Sequence, residues 1–163
     1  MNSRGMDVPS SAASAHLYLR EDRIRQSYEA MMLAWRIMNA ECEIRLREKG
    51  LGSAHHRILF LTAAHPGITP GALLNSLGIT KQSLGRALGD LRERRLLIQE
   101  EDRHDRRRRP LRLTEAGEQL ERELFLIIRD VMTRAYREAG MSAVEGYRRV
   151  LTALQPPEEY PGR

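Results

Sequence analysis

Between residues 17 and 49 the apolar positions fall on one side of a helix. Ile24, Tyr28, Met31, Trp35, Met38 and Cys42 step by four, three, four, three and four, which makes one stripe along a long helix. Gly50 and Gly52 end it. Ser53 is placed to cap a second helix, 54–64, that carries Ile58, Leu59 and Leu61. His65-Pro66-Gly67 breaks the chain. Thr69-Pro70 then supplies a cap and a proline at the first helical position, where its missing N–H is not needed. The short helix that follows carries Leu73, Leu74 and Leu77, and Gly78 supplies a left-handed turn. Ile79 fills the angle between two helices. Thr80 caps the next one, whose inner face is Leu84, Leu88 and Leu91.

The period then shortens. Leu96-Leu97-Ile98 begins a strand, and Leu111-Arg112-Leu113 alternates as its return. Pro110 lacks the N–H for a ladder bond, so strand pairing is expected to stop there. Thr114 starts a helix reaching about Ala139, with Leu120, Leu124, Ile127, Ile128, Val131 and Ala135 on one side and Phe125, Met132 and Tyr136 in a second apolar line. Gly140 ends that helix. Ser142-Ala143-Val144-Glu145 reads as a capping box for a last helix through Tyr147, Val150, Leu151 and Leu154, which Pro156-Pro157 stops. The predicted fold is mostly α with one small β-hairpin, in the order helix, helix, turn, helix, hairpin, helix, helix.

With 163 residues and 41% apolar content, the chain is long and apolar enough to bury a core. No apolar run approaches the roughly 20 residues of a membrane span. The first fifteen residues are small and polar, so a flexible tail and no secretory leader are expected. A single cysteine forms no intrachain disulfide, which fits a reducing cytoplasm. The charge is uneven. Between Thr80 and Arg112 eleven basic residues meet six acidic ones, an excess equal to the +5 of the whole chain. A local excess of this kind is the footprint of a polyanion partner. A charge run is most often only a solvated loop. Its place directly after a capped helix argues for contact with phosphates.

The stretch 69–114 therefore reads as a helix-turn-helix with an arginine-loaded hairpin behind it. If Leu84, Leu88 and Leu91 face inward, then Thr80, Lys81, Gln82, Ser83 and Arg86 stand at the exposed N-terminal end, the part that meets base edges in this motif. Arg pairs bidentately with guanine and Gln with adenine. In the hairpin, Arg103, His104, Arg106, Arg107 and Arg108 would meet phosphates or a narrow minor groove, while Asp102 and Asp105 brace the loop by pairing with arginines. Gly85 and Gly89 weaken the helix by about 1 kcal/mol each, as a close approach would require or as tolerated small residues.

Ile79-Thr80 through Leu91, then Arg94-Arg95-Leu96-Leu97, Asp102-Arg103-His104-Asp105-Arg106-Arg107 and Leu111-Arg112-Leu113-Thr114-Glu115-Ala116-Gly117, resembles the winged-helix core of the MarR family of bacterial transcription regulators. The resemblance covers about 53–120, and the flanking helices match the family plan in length and order. Two positions depart from it. His104 stands where members often have Arg, and Arg95 where they often have Gly, which removes a favourable glycine helix end. The resemblance implies a winged helix-turn-helix with long N- and C-terminal dimerisation helices. On that plan 1–16 is a tail, 17–52 the N-terminal dimerisation helix, 53–114 the DNA-binding domain, 115–155 the C-terminal dimerisation helices and 156–163 a tail. A homodimer also follows from the residues, because the C-terminal helices carry more apolar surface than one small winged helix covers. Two-fold symmetry then predicts a pseudo-palindromic double-stranded DNA site.

Members of the family commonly lose DNA affinity when a small molecule, oxidant or metal binds. Tyr28, Met31, Trp35 and Met38 are candidates to line a pocket for a small-molecule effector, with His56 or Arg57 holding an anionic group at its mouth. A Met and aromatic stripe at helical spacing is more often core. Cys42 is the one candidate for a redox-responsive regulator, although a cysteine on that stripe is more often a small hydrophobe. His55 and His56 point about 100° apart on a helix and do not chelate as a pair, so no metal and no cofactor is expected. No Ser/His/Asp set or phosphate loop has convincing spacing, so the chain is not expected to be an enzyme. The reading is a dimeric sequence-specific regulator, a repressor released by a small effector. The alternative class is an architectural protein that binds DNA without sequence preference.

Overall fold

The computed structural model describes residues 19–100 and 109–155. The chain falls into two compact units, 1–39 and 40–163. Helix α1 (Glu21–Glu48) contributes to both. In the first unit its side chains at Ile24, Tyr28, Met31 and Trp35 are exposed. The predicted core stripe is thus buried only at its far end, where Cys42 and Leu46 are fully enclosed in the second unit. Among the described residues no helix is long and apolar enough to cross a membrane.

The second unit is built around helix α2 (Ser53–Ala64). It packs against α3 (Pro70–Leu77), α4 (Lys81–Glu93), strand β2 (Leu111–Leu113) and α5 (Glu115–Ala139). Ile58, Leu59, Leu61 and Thr62 on α2 are buried, and the Thr62 hydroxyl donates to the Ile58 carbonyl at 2.8 Å, so the one buried polar side chain among the described residues is satisfied. Leu73, Leu84, Ala87, Leu91, Leu120 and Leu124 close over this helix. The last helix, α6 (Met141–Ala153), packs on α5 and buries no residue fully.

Helix ends follow the sequence closely, with two shifts. Thr69, Thr80 and Thr114 each accept a backbone N–H three residues on, from Ala72, Ser83 and Gly117. Helix α2, however, is capped by Gly52 rather than Ser53. His55 reaches back to accept the Gly52 N–H at 2.9 Å, which leaves Ser53 as the first helical residue. The expected capping box at Ser142 does not form either. Gly140, with φ 81°, ends α5 and starts α6 at once, so Ser142 already lies inside the helix.

Strand β1 (Leu97–Gln99) pairs antiparallel with β2, setting Leu97 opposite Leu113, Ile98 opposite Arg112 and Gln99 opposite Leu111. The regular pairing ends at Gln99 opposite Leu111, next to Pro110, as its missing N–H predicts. The Pro110 carbonyl accepts the Glu100 N–H at 2.8 Å, and a proline can serve a ladder as acceptor. On its other side β2 is tied to the segment before α3, because Leu111 N–H donates to the Ile68 carbonyl at 2.9 Å.

The corner between α4 and β1 fixes where α5 begins. Helix α4 ends with Arg95 in the left-handed region, φ 55°. The Arg95 N–H donates to the Arg92 carbonyl and the Leu96 N–H to the Leu91 carbonyl, the bonding pattern that usually carries glycine. The Thr114 hydroxyl donates to the Arg95 carbonyl at 2.6 Å, and the Thr114 N–H to the Leu96 carbonyl at 3.1 Å. Gly117 then lies so close that a Cβ would overlap the Leu96 carbonyl oxygen. Gly117→Ala is expected to cost about 3 kcal/mol, lowering Tm by roughly 10 °C. Arg95→Gly is expected to act oppositely, raising stability by roughly 0.5–1 kcal/mol. Thermal denaturation followed by circular dichroism checks both, and an unchanged Tm for Gly117→Ala would show that the corner yields.

Candidate nucleic-acid interface

Helix α4 has two faces because its sequence does. Leu84, Ala87 and Leu91 are buried against the core, with Leu88 half-buried. Lys81, Gln82, Ser83 and Arg86 are exposed on the first two turns. Thr80 and Ser83 are occupied with one another. The Thr80 hydroxyl accepts the Ser83 N–H at 3.1 Å and donates to the Ser83 Oγ at 2.9 Å. They shape the start of the helix, which leaves Lys81, Gln82 and Arg86 as the side chains with reach. An added Cβ at Gly85 or Gly89 would meet no protein atom within 4 Å, so packing within the chain does not require glycine at either place.

The hairpin base stands beside this helix through the contact of β1 with α4. Arg112 and Glu100 form an ion pair at 3.3 Å across the strands, and Arg109 is exposed. Arg103, His104, Arg106, Arg107 and Arg108, with Asp102 and Asp105, lie outside the described residues.

Three residues to which sequence reasoning gave no such role hold α4 from behind. His55 Nε2 lies 3.1 Å from Asp90 Oδ2, and Arg94 donates to the carbonyls of Lys49 at 2.8 Å and Gly50 at 3.4 Å. Nothing in the residue pattern brings His55 and Asp90 together, since they are 35 positions apart and belong to different helices.

The candidate effector residues stand in two places. Tyr28, Met31 and Trp35 are exposed and Met38 is half-buried in the first unit. His56 and Arg57 are half-buried on α2 in the second. Burial pushes the His56 imidazole below its ordinary value, so at neutral pH it offers a hydrogen bond rather than a charge. Cys42 is fully enclosed, and its thiol lies 3.5 Å from the Leu124 carbonyl. Burial, with Glu41 and Glu43 adding to it, pushes that thiol above its ordinary range, away from the reactive thiolate. Thiol-specific labelling of the native protein is expected to be far slower than in denaturant, and mild peroxide is expected to leave DNA binding unchanged. Rapid native labelling would restore the redox alternative.

A helix-turn-helix with its second helix exposed at the N-terminal end, followed by a two-stranded wing, defines a winged-helix DNA-binding protein. The comparisons with known proteins agree. The MarR family model matches residues 49–108. The HTH-type transcriptional regulator PetP of Rhodobacter capsulatus is 40% identical over 151 residues, covering 93% of this chain and 91% of that relative. Streptococcus pneumoniae FabT in complex with DNA superposes with a TM-score of 0.68 at 17% identity, over 80% of this chain and 94% of that one. CouR from Rhodococcus jostii RHA1, bound to p-coumaroyl-CoA, gives 0.66 at 18% identity, over 82% and 92%. At such identities the structural likeness speaks for the fold. The chain belongs to the MarR family of DNA-binding transcriptional regulators.

Proposed function

We propose that this protein is a homodimeric, sequence-specific repressor of the cytoplasm that leaves its operator when a small molecule binds. The observation that carries the reading is the division of α4, whose inner face is locked in the core while Lys81, Gln82 and Arg86 stand free. In this reading those three side chains meet base edges, with Thr80 and Ser83 setting the start of the helix. The wing arginines 103, 106, 107 and 108 and His104 add phosphate or minor-groove contacts, braced by Asp102 and Asp105.

Exposed apolar side chains support a second copy as partner. On α6 and at its C-terminal end these are Met141, Tyr147, Val150 and Leu154, and on α1 they are Ile24, Tyr28, Met31 and Trp35. Surface of this kind marks an interaction site. Two copies would offer two α4 helices to a pseudo-palindromic operator. The effector reading is supported by the fold shared with CouR, whose structure holds p-coumaroyl-CoA. Tyr28, Met31, Trp35, Met38, His56 and Arg57 are its candidate contacts. Of these, Arg57 alone carries a permanent charge.

Fluorescence-anisotropy titration tests the reading, with DNA from just upstream of this gene against scrambled DNA over a salt series. The expected result is a marked preference for the upstream DNA. Lys81→Ala or Arg86→Ala should reduce it by about 1–3 kcal/mol. Equal, steeply salt-dependent binding to both DNAs would favour the architectural alternative or place the operator elsewhere.

A further inference from the structure

Two of the residues that pin α4 lie on the same helical line as two of the residues that would read DNA. Gln82, Arg86, Asp90 and Arg94 are spaced by four. Such a line winds round the helix by about 40° per step. It passes from Arg86 to Asp90 and Arg94, which stay partly in solvent but reach polar partners on the neighbouring elements. There it meets the corner between α1 and α2. Arg94 takes the carbonyls of Lys49 and Gly50 at the end of α1. Gly50 itself is left-handed, φ 65°, and an added Cβ would press on the Arg94 guanidinium at 3.1 Å. His55, on the first turn of α2, holds both sides of the junction. Its Nδ1 accepts the Gly52 N–H at 2.9 Å, so its proton is on Nε2 and is donated to the Asp90 carboxylate at 3.1 Å.

Apolar packing alone fixes how deep a helix lies and leaves its pitch loosely set. Pitch is what the reading residues need. Lys81 is nine residues from Asp90, roughly 14 Å along the axis, so a tilt of about 10° about Asp90 displaces it by about 2 Å. A hydrogen bond to a base tolerates only about 0.5 Å. From this geometry we infer that His55, Asp90 and Arg94 form a polar clasp that sets the pitch of α4 against the α1–α2 corner, and thereby sets how strongly the protein prefers its own DNA sequence. They are positioning residues and touch no base. The inference rests on the reading that α4 meets base edges. It adds that the end of α1 and the reading helix move as one body.

The test separates the clasp from simple helix capping. His55→Glu keeps the cap, because a glutamate at the third helical position also accepts the N-cap N–H. It also sets a carboxylate against Asp90. The probe is the duplex that the wild-type protein selects from a randomised DNA library, compared with the unselected pool. The readout is the ratio of the two affinities, which cancels general charge effects. His55→Glu is expected to lower this ratio by about tenfold with Tm nearly unchanged. Asp90→Lys alone should lower it too. The double variant, which restores an opposite-charge pair across the gap, should return it to within about threefold of wild type. Should His55→Glu not fold, Asp90→Ala, at a half-exposed position, is expected to lower the ratio by itself. An unchanged ratio in His55→Glu or Asp90→Ala, or a double variant equal to the product of the singles, overturns the clasp. If that occurs while Lys81→Ala and Arg86→Ala still reduce the preference, the DNA-reading role of α4 stands without it. If the wild-type protein selects no sequence, both fall together.

Discussion

The face of helix α2 that carries Ile58, Leu59 and Leu61 is covered by α3, α4, β2 and α5, while Phe60 stands exposed on another side. Burying Ile58, Leu59 and Leu61 fully requires all four neighbours at once. Burial is worth about 1.5–3 kcal/mol for each such side chain, so none of the four can leave without exposing the others' contacts. The position of α4 is therefore set by the demands of a core to which Lys81, Gln82 and Arg86 do not belong.

That constraint explains how a small unit can be firm at its centre and open at one face. The inner face of α4 is fixed by leucines, and its C-terminal half is fixed again by His55 and Arg94. The outer side of its N-terminal half is left to solvent. The hairpin base is likewise held on both edges, by β1 on one side and by the Ile68 carbonyl on the other. Polar bonds at the rim thus complement apolar packing at the centre. The former set direction and the latter sets depth.

Much of this was legible in the residues. The 3.6-residue period placed the helices, and three threonines at helix starts were each found capping. Patterns of that kind are local, and the physics behind them is local too. Errors arose where a distant partner intervened. Ser53 looked like a cap, but a histidine two residues on served Gly52 instead. The stripe from Ile24 to Trp35 read as core because periodicity shows which residues share a face and not whether that face is covered within one chain. In the candidate interface, the outward residues of α4 followed from its pattern. The His55–Asp90 pair did not, since no spacing rule joins residues on separate helices.

The central place of α2 also bears on how the chain is made. Its apolar sides are completed by Leu120 and Leu124 of α5, which lie some sixty residues later in the sequence. During synthesis at about 5–20 residues per second, α2 emerges seconds before the helix that finishes covering it. Such long-range closure slows folding relative to a protein of purely local contacts. The DNA-binding segment is consequently not a separable module. A chain released before α5 would hold the whole reading motif and still lack the last wall of its core.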